Sequence, residues 1–211
     1  MGKIKQGILG GFSGKVGPVI GTSWKGKAVM RAIALSHNDA NSVAQQQQRL
    51  KFKLLIQFLA EVNGFIERGF RNRAVGMTAP NAAMRLNLDG AISGDWPNYK
   101  VAYDKVMVSN GVIDLPYSPV GTLDGSDISA TWSDNSGLGN ADAADKAMML
   151  VYNPAKRQSI YNTNVAERSE RSAVISTPAA WSGDTVEAWL AMRREKDGET
   201  SKSFYLGSFN L

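Results

Sequence analysis

Eight glycines fall within the first 26 residues of the chain, at positions 2, 7, 10, 11, 14, 17, 21 and 26. Glycine loses more backbone freedom on folding than any other residue. A segment this rich in it either stays mobile or is ordered by lying on another surface. The same region is basic. Residues 1–75 hold 12 Lys and Arg against Asp39, Glu61 and Glu67, a net of +9, whereas residues 76–211 hold 12 against 16, a net of −4. Such a split predicts two parts with different partners.

The 211 residues are 43% hydrophobic and 20% charged. That is enough apolar surface for a real core, in one domain or two small ones. The sequence contains no cysteine, which removes disulfides, thiolate metal sites and thiol nucleophiles together. Lys3 and Lys5 precede Ile8 and Leu9, but glycines and Lys15 interrupt the apolar run. A leader with an h-region of ~7–15 residues is therefore not expected, nor is a membrane-spanning helix of ~18 apolar residues. The expectation is a soluble protein, cytoplasmic or part of a virion.

Three regions are predicted. Residues 1–40 form a glycine-rich basic arm, with a strand expected within Lys25–Ala34 and Trp24 beside it as an anchor. Residues 41–118 form a helical region with a hairpin. Ser42 and Gln45 fit a capping box. Leu50, Leu54, Leu55, Phe58, Leu59, Val62, Phe65 and Ile66 then recur at helical spacing, predicting one long amphipathic helix over about Ser42–Gly69, with Gly64 a place for it to bend or end. Thr78 and Pro80 predict a short helix through about Asn87. Lys100–Ser109 alternates and meets Asn110-Gly111, the pattern of a β-hairpin.

Residues 119–211 read as short strands at Ile128–Trp132, Ala147–Tyr152, Gln158–Asn162, Ser172–Thr177, Val186–Met192 and Ser203–Leu206. The fold class is thus α+β, ending in an immunoglobulin- or fibronectin-like antiparallel β-sandwich with Trp132 and Trp189 filling its core.

The opening GILGGFSGKVGPVIGTSWKG, the helix QQQQRLKFKLLIQFL and the tail DKAMMLVYNP…WSGDTVEAWLAMR…SKSFYLG together resemble a family of uncharacterised proteins from Bacteroidota and their phages that carries a domain of unknown function. The resemblance spans essentially the whole chain. It implies no established activity and no catalytic residues. The tail alone is similar to fibronectin-like modules of Bacteroidota surface proteins, which implies a sandwich and not a function.

No motif points to catalysis. Gly21–Ala28 fits a phosphate loop only as far as Lys27, because Ala28 stands where a magnesium-binding hydroxyl is needed. His37, the sole histidine, lies in a polar turn. The Asp134–Asp145 loop offers oxygen ligands but lacks EF-hand spacing, and reads as a surface loop. No cofactor and no catalytic or metal residues are assigned. The functional signal is the arm: Lys3, Lys5, Lys15, Lys25, Lys27 and Arg31 on a flexible track with Phe12 and Trp24 between them. Such a track suits a protein partner, itself or another subunit of an assembly, and equally suits nucleic acid. The reading is a non-enzymatic structural or assembly protein, with nucleic-acid binding as the alternative and an unassigned carboxylate enzyme as a third.

Overall fold

The computed structural model describes residues 2–4, 10–24, 26–33 and 40–211. The chain divides into two compact units, Met1–Ser42 and Val43–Leu211.

The first unit is an antiparallel meander of β1 (Lys3–Ile4), β2 (Phe12–Val16), β3 (Val19–Trp24) and β4 (Lys27–Ala32), in that spatial order. The strand expected within Lys25–Ala34 is β4. The flexible track is corrected: the described part of the glycine-rich region is sheet. Its glycines work as hinges of that sheet. Gly17 (φ 57) with Pro18 turns β2 into β3, and Gly26 (φ 79) lies between Trp24 and Lys27. Only glycine takes such angles without strain. Val16, Val19, Ile20, Thr22 and Val29 supply the β-branched residues between them.

The second unit mixes helices with mostly antiparallel sheet. Helix α1 (Val43–Glu61) stops at Val62, and α2 (Asn63–Gly69) starts anew. The single helix expected to Gly69 is therefore two, broken just before Gly64. Val62 leaves helical geometry (φ −104, ψ 15) and Asn63 Nδ2 donates to Glu67 Oε1 at 3.1 Å across the first turn of α2. Helix α3 (Ala79–Asn87) begins as predicted, with Thr78 Oγ1 accepting the Asn81 N–H at 3.4 Å and Pro80 in the first turn.

The hairpin expected at Asn110-Gly111 does not form. After β5 (Ile92–Ser93) pairs with β6 (Lys100–Val101), the chain enters a 3-10 turn at Tyr103–Lys105 and then runs through the interior. Its backbone groups find other partners. Asn87 takes both the N–H and the carbonyl of Met107 at 2.8 Å, and Ser203 Oγ accepts the Val108 N–H. The Gly69 carbonyl accepts the Asn110 N–H at 3.0 Å. Val106, Val108 and Ser109 are buried, so tertiary burial overrides the local turn signal.

Seven further strands complete the unit: β7 (Tyr117–Asp124), β8 (Asp127–Ser133), β9 (Lys146–Asn153), β10 (Gln158–Asn162), β11 (Ser172–Ser176), β12 (Thr185–Arg193) and β13 (Phe204–Asn210). They form two sheets, ordered β10-β9-β12-β13 and β11-β8-β7, with every named strand pair antiparallel. The six predicted strands are all present.

One face of the four-stranded sheet packs Ala147, Met149, Val151, Ala188, Leu190 and Met192 against Ile128, Ala130 and Trp132 of the three-stranded sheet. Its other face packs Met148, Leu150, Tyr152, Trp189 and Ala191 against Leu55, Phe58, Phe65 and Ile66 of the helices. β9 and β12 are therefore covered on both sides, and the regions expected as 41–118 and 119–211 meet on one sheet. Trp132 lies between the sheets, with Nε1 donating to the Arg168 carbonyl at 2.9 Å. Trp189 is corrected: it is fully buried, but on the helical side of the sheet.

Candidate functional site

Side chains alternate across a strand, and directly paired residues share a face. In the meander, Gly14 pairs with Gly21 and Gly21 with Met30, while Val16 pairs with Val19 and Val19 with Ala32. These positions make one face, continued by Phe12 and Ile4. The ring of Phe12 confirms its side: a Cβ at Gly21 would come within 2.6 Å of Phe12 Cδ2. The opposite face carries Lys15, Ile20 and Arg31 in one row and Trp24 beside Lys27 in another, with Lys3 on β1.

The registers thus sort an apolar face from a basic one. Of the residues singled out in the sequence, Lys3, Lys15, Trp24, Lys27 and Arg31 share the basic face, whereas Phe12 belongs to the apolar face. Lys5 and Lys25 lie outside the described residues, as do Ile8, Leu9 and His37. Gly21 is the one buried position among the described residues of the meander. Met30 is 72% exposed, Trp24 63%, Ile4 57% and Val16 54%. No acidic residue precedes Asp39 in the sequence, so the strands supply no countercharge to their own cations.

A second constellation sits on the helical side of the large sheet. Phe58, Tyr103, Tyr152, Trp189 and Tyr205 pack ring to ring with centroids 5.0 to 6.3 Å apart. Tyr103 stands between two hollows of about 320 and 460 Å³. Glu187, buried on β12, accepts hydrogen bonds from the Tyr205 hydroxyl and from Ser208 Oγ at 3.3 Å. Burial, then the neighbouring Tyr152 and Glu187, pushes the Tyr103 phenol up from 10.0 to about 12. Burial and the bond to Glu187 raise Tyr205 as well. Burial thus favours the neutral form of the Tyr103, Tyr152 and Tyr205 phenols, and Tyr205 donates its hydroxyl to Glu187. Sequence reasoning missed this cluster because its members come from α1, the 3-10 turn, β9, β12 and β13, and no spacing links them.

The family model for a family of unknown function, DUF6266, matches residues 11–207. The chain belongs to this family. The match starts just before β2 and ends within β13, so DUF6266 takes in three strands of the meander as well as the helices and both sheets. The comparison with curated proteins gave no match.

Elsewhere in the DUF6266 fold, charged groups are spent on structure. Arg168, fully buried, donates to Asn135 Oδ1 at 2.7 Å, the Asp114 carbonyl at 2.8 Å and Asp145 Oδ2 at 3.0 Å. Arg194 Nε stands 3.5 Å from the other Asp145 oxygen, an ion pair too long for a hydrogen bond. In the Asp134–Asp145 loop, Asp134 accepts from the Ser136 N–H and hydroxyl, and Asp142 from the Ala144 N–H. Asp134 and Asp142 thus serve their own loop's backbone, and Asp145 is held by the two arginines and the Asp142 N–H. Among the described residues, no three or more His, Asp or Glu are grouped as a metal requires. Gly21–Trp24 lies in β3 and Lys27–Ala28 in β4, extended strands unlike a loop wrapped round phosphate. No helix among the described residues is long and apolar enough to cross a membrane.

Proposed function

We propose that this chain is a non-enzymatic structural subunit, of a virion or a phage-derived assembly, that docks through the apolar face of its N-terminal meander onto a neighbouring subunit, in the simplest case a second copy. One observation carries the reading. A four-stranded sheet with a whole apolar face buries a single described residue, although small sheets need a covered hydrophobic face to be stable. At about 25 cal/mol per Å² of apolar surface removed from water, covering Met30, Val16 and Ile4 is a substantial driving force. The order β11-β8-β7 over β10-β9-β12-β13 supports reading the sandwich as fibronectin-like, a rigid module carried by the docked sheet.

The test is size exclusion with light scattering on the full chain, on residues 43–211 and on Met30→Asp, at roughly 50 and 200 mM salt. Salt-tolerant association of the full chain, lost in both variants while their circular dichroism stays folded, is expected, because apolar burial is not screened. A full-length protein monomeric at both salt concentrations overturns the reading.

A further inference from the structure

We infer that the basic face of the meander binds single-stranded nucleic acid, with Trp24 as a stacking platform and Lys3, Lys15, Lys27 and Arg31 as phosphate contacts. The inference is separate from the docking proposed above, which uses the opposite face. Three observations carry it. First, all four described cations of the meander project from one side of the sheet, and none from the other. Among the described residues this sorting leaves the apolar face free of charge and concentrates a positive field on one plane, with no acidic residue before Asp39 to offset it.

Second, the cations are spread across the plane. Lys15 and Arg31 lie two strand spacings apart, about 10 Å, and Lys27 and Arg31 four residues apart along β4, about 13 Å. Charges distributed this way follow an extended polyanion, whereas a carboxylate is gripped by donors that converge. Third, Trp24 pairs directly with Lys27 on the same face and is 63% exposed. An indole beside a lysine on an open sheet offers a base its π-face and the adjoining phosphate a charge. In a duplex every base is already stacked, so this geometry selects single strands.

The full-length protein is titrated into fluorescein-labelled oligothymidine of about 20 nucleotides, with a duplex of the same length and polyglutamate as competitors. Four phosphate contacts give a log–log salt slope near −3, so affinity falls about 50-fold between roughly 50 and 200 mM salt. Lys27→Ala with Arg31→Ala should halve that slope, leaving about a 7-fold fall. Trp24→Ala should weaken binding about 10-fold with the slope unchanged, and Trp24→Phe should restore most of it, since the ring remains. Wild-type binding that is flat with salt, or equal in Trp24→Ala, overturns the inference. Competition by polyglutamate as effective as by oligothymidine overturns it in favour of an acidic protein surface, and tighter binding of the duplex overturns the stacking role. Association by light scattering is read on the same samples, so loss of one activity is distinguished from loss of the other.

Discussion

Arg168 shows why a single side chain can decide the shape of a loop region. Its guanidinium holds the Asp114 carbonyl together with Asn135 and Asp145, from the two ends of the Asp134–Asp145 loop. An ammonium has the charge but not the planar fork, so lysine is no substitute there. Removing Asp145 strands the Arg168 guanidinium in a dry site, which costs far more than the pair itself contributes. Tyr103 makes a case that can be titrated. Its folded-state pKa of about 12 lies above the ordinary 10.0, so folding favours the protonated phenol. That contribution is fully present below about pH 10 and is lost as pH rises through about 12. Tyr103→Phe should therefore flatten the alkaline fall in stability, read as urea midpoints at about pH 9 and about pH 11. Tyr152 and Tyr205, both also raised, keep part of it. An unchanged alkaline slope in Tyr103→Phe refutes the assignment.

At the level of elements, two glycines in α2 look alike in sequence and differ in what surrounds them. A Cβ at Gly64 would meet the Tyr161 hydroxyl at 2.0 Å, the far end of a half-exposed side chain that can swing away. A Cβ at Gly69 would meet the Val108 carbonyl at 2.6 Å and Ser109 Cα at 2.9 Å, where backbone must move. The same Gly69 carbonyl accepts from Asn110 N–H, Ser109 Oγ and Thr200 Oγ1. Gly64→Ala should thus stay within about 1 kcal/mol of wild type, the gain in helix propensity offsetting the shift. Gly69→Ala should cost about 1–3 kcal/mol. Urea denaturation of the pair distinguishes them, and equal costs would show that the packing at Gly69 is looser than described.

The same contrast explains what the sequence could reveal. Strands β8 to β13 were legible because their turns carry their own chemistry, such as Asn153-Pro154. Thr78 and Pro80 marked α3 for the same reason. The segment 106–111 was not legible, since its conformation is fixed by Asn87, Ser203 and Thr200, residues far away in the chain. The cations of the meander were visible one by one. Their sorting onto one face needed the register, which composition does not contain.

For the molecule as a whole, the decisive feature is a sheet whose inner strands are buried from both sides. Leu150, Tyr152 and Trp189 face the helices, and Met149, Val151 and Leu190 face the second sheet. The strands from Tyr117 onward therefore do not carry a finished surface when cut free of the helices. Residues 43–211 should fold as one cooperative unit, seen as coincident transitions by fluorescence and circular dichroism. Residues 117–211 alone should expose the Trp189 face, bind a hydrophobic dye and self-associate. A well-behaved, monomeric 117–211 fragment with native-like Trp189 fluorescence would contradict the layered core.

The outer edge of β4 bears on how the protein must be handled. Six exposed residues, Lys27–Ala32, end the sheet order with backbone groups facing outward, and a bare edge of this kind is a template for uncontrolled polymerisation. Lys27 and Arg31 keep like edges apart, but only while their charge is felt, over about 10 Å at 0.1 M salt and about 3 Å at 1 M. Salting-out steps and concentrated crystallisation liquors remove that guard. Fibrous or gelled material from such steps would then be β4 stacking on β4, a laboratory hazard arising from the same two side chains that order the surface in dilute buffer.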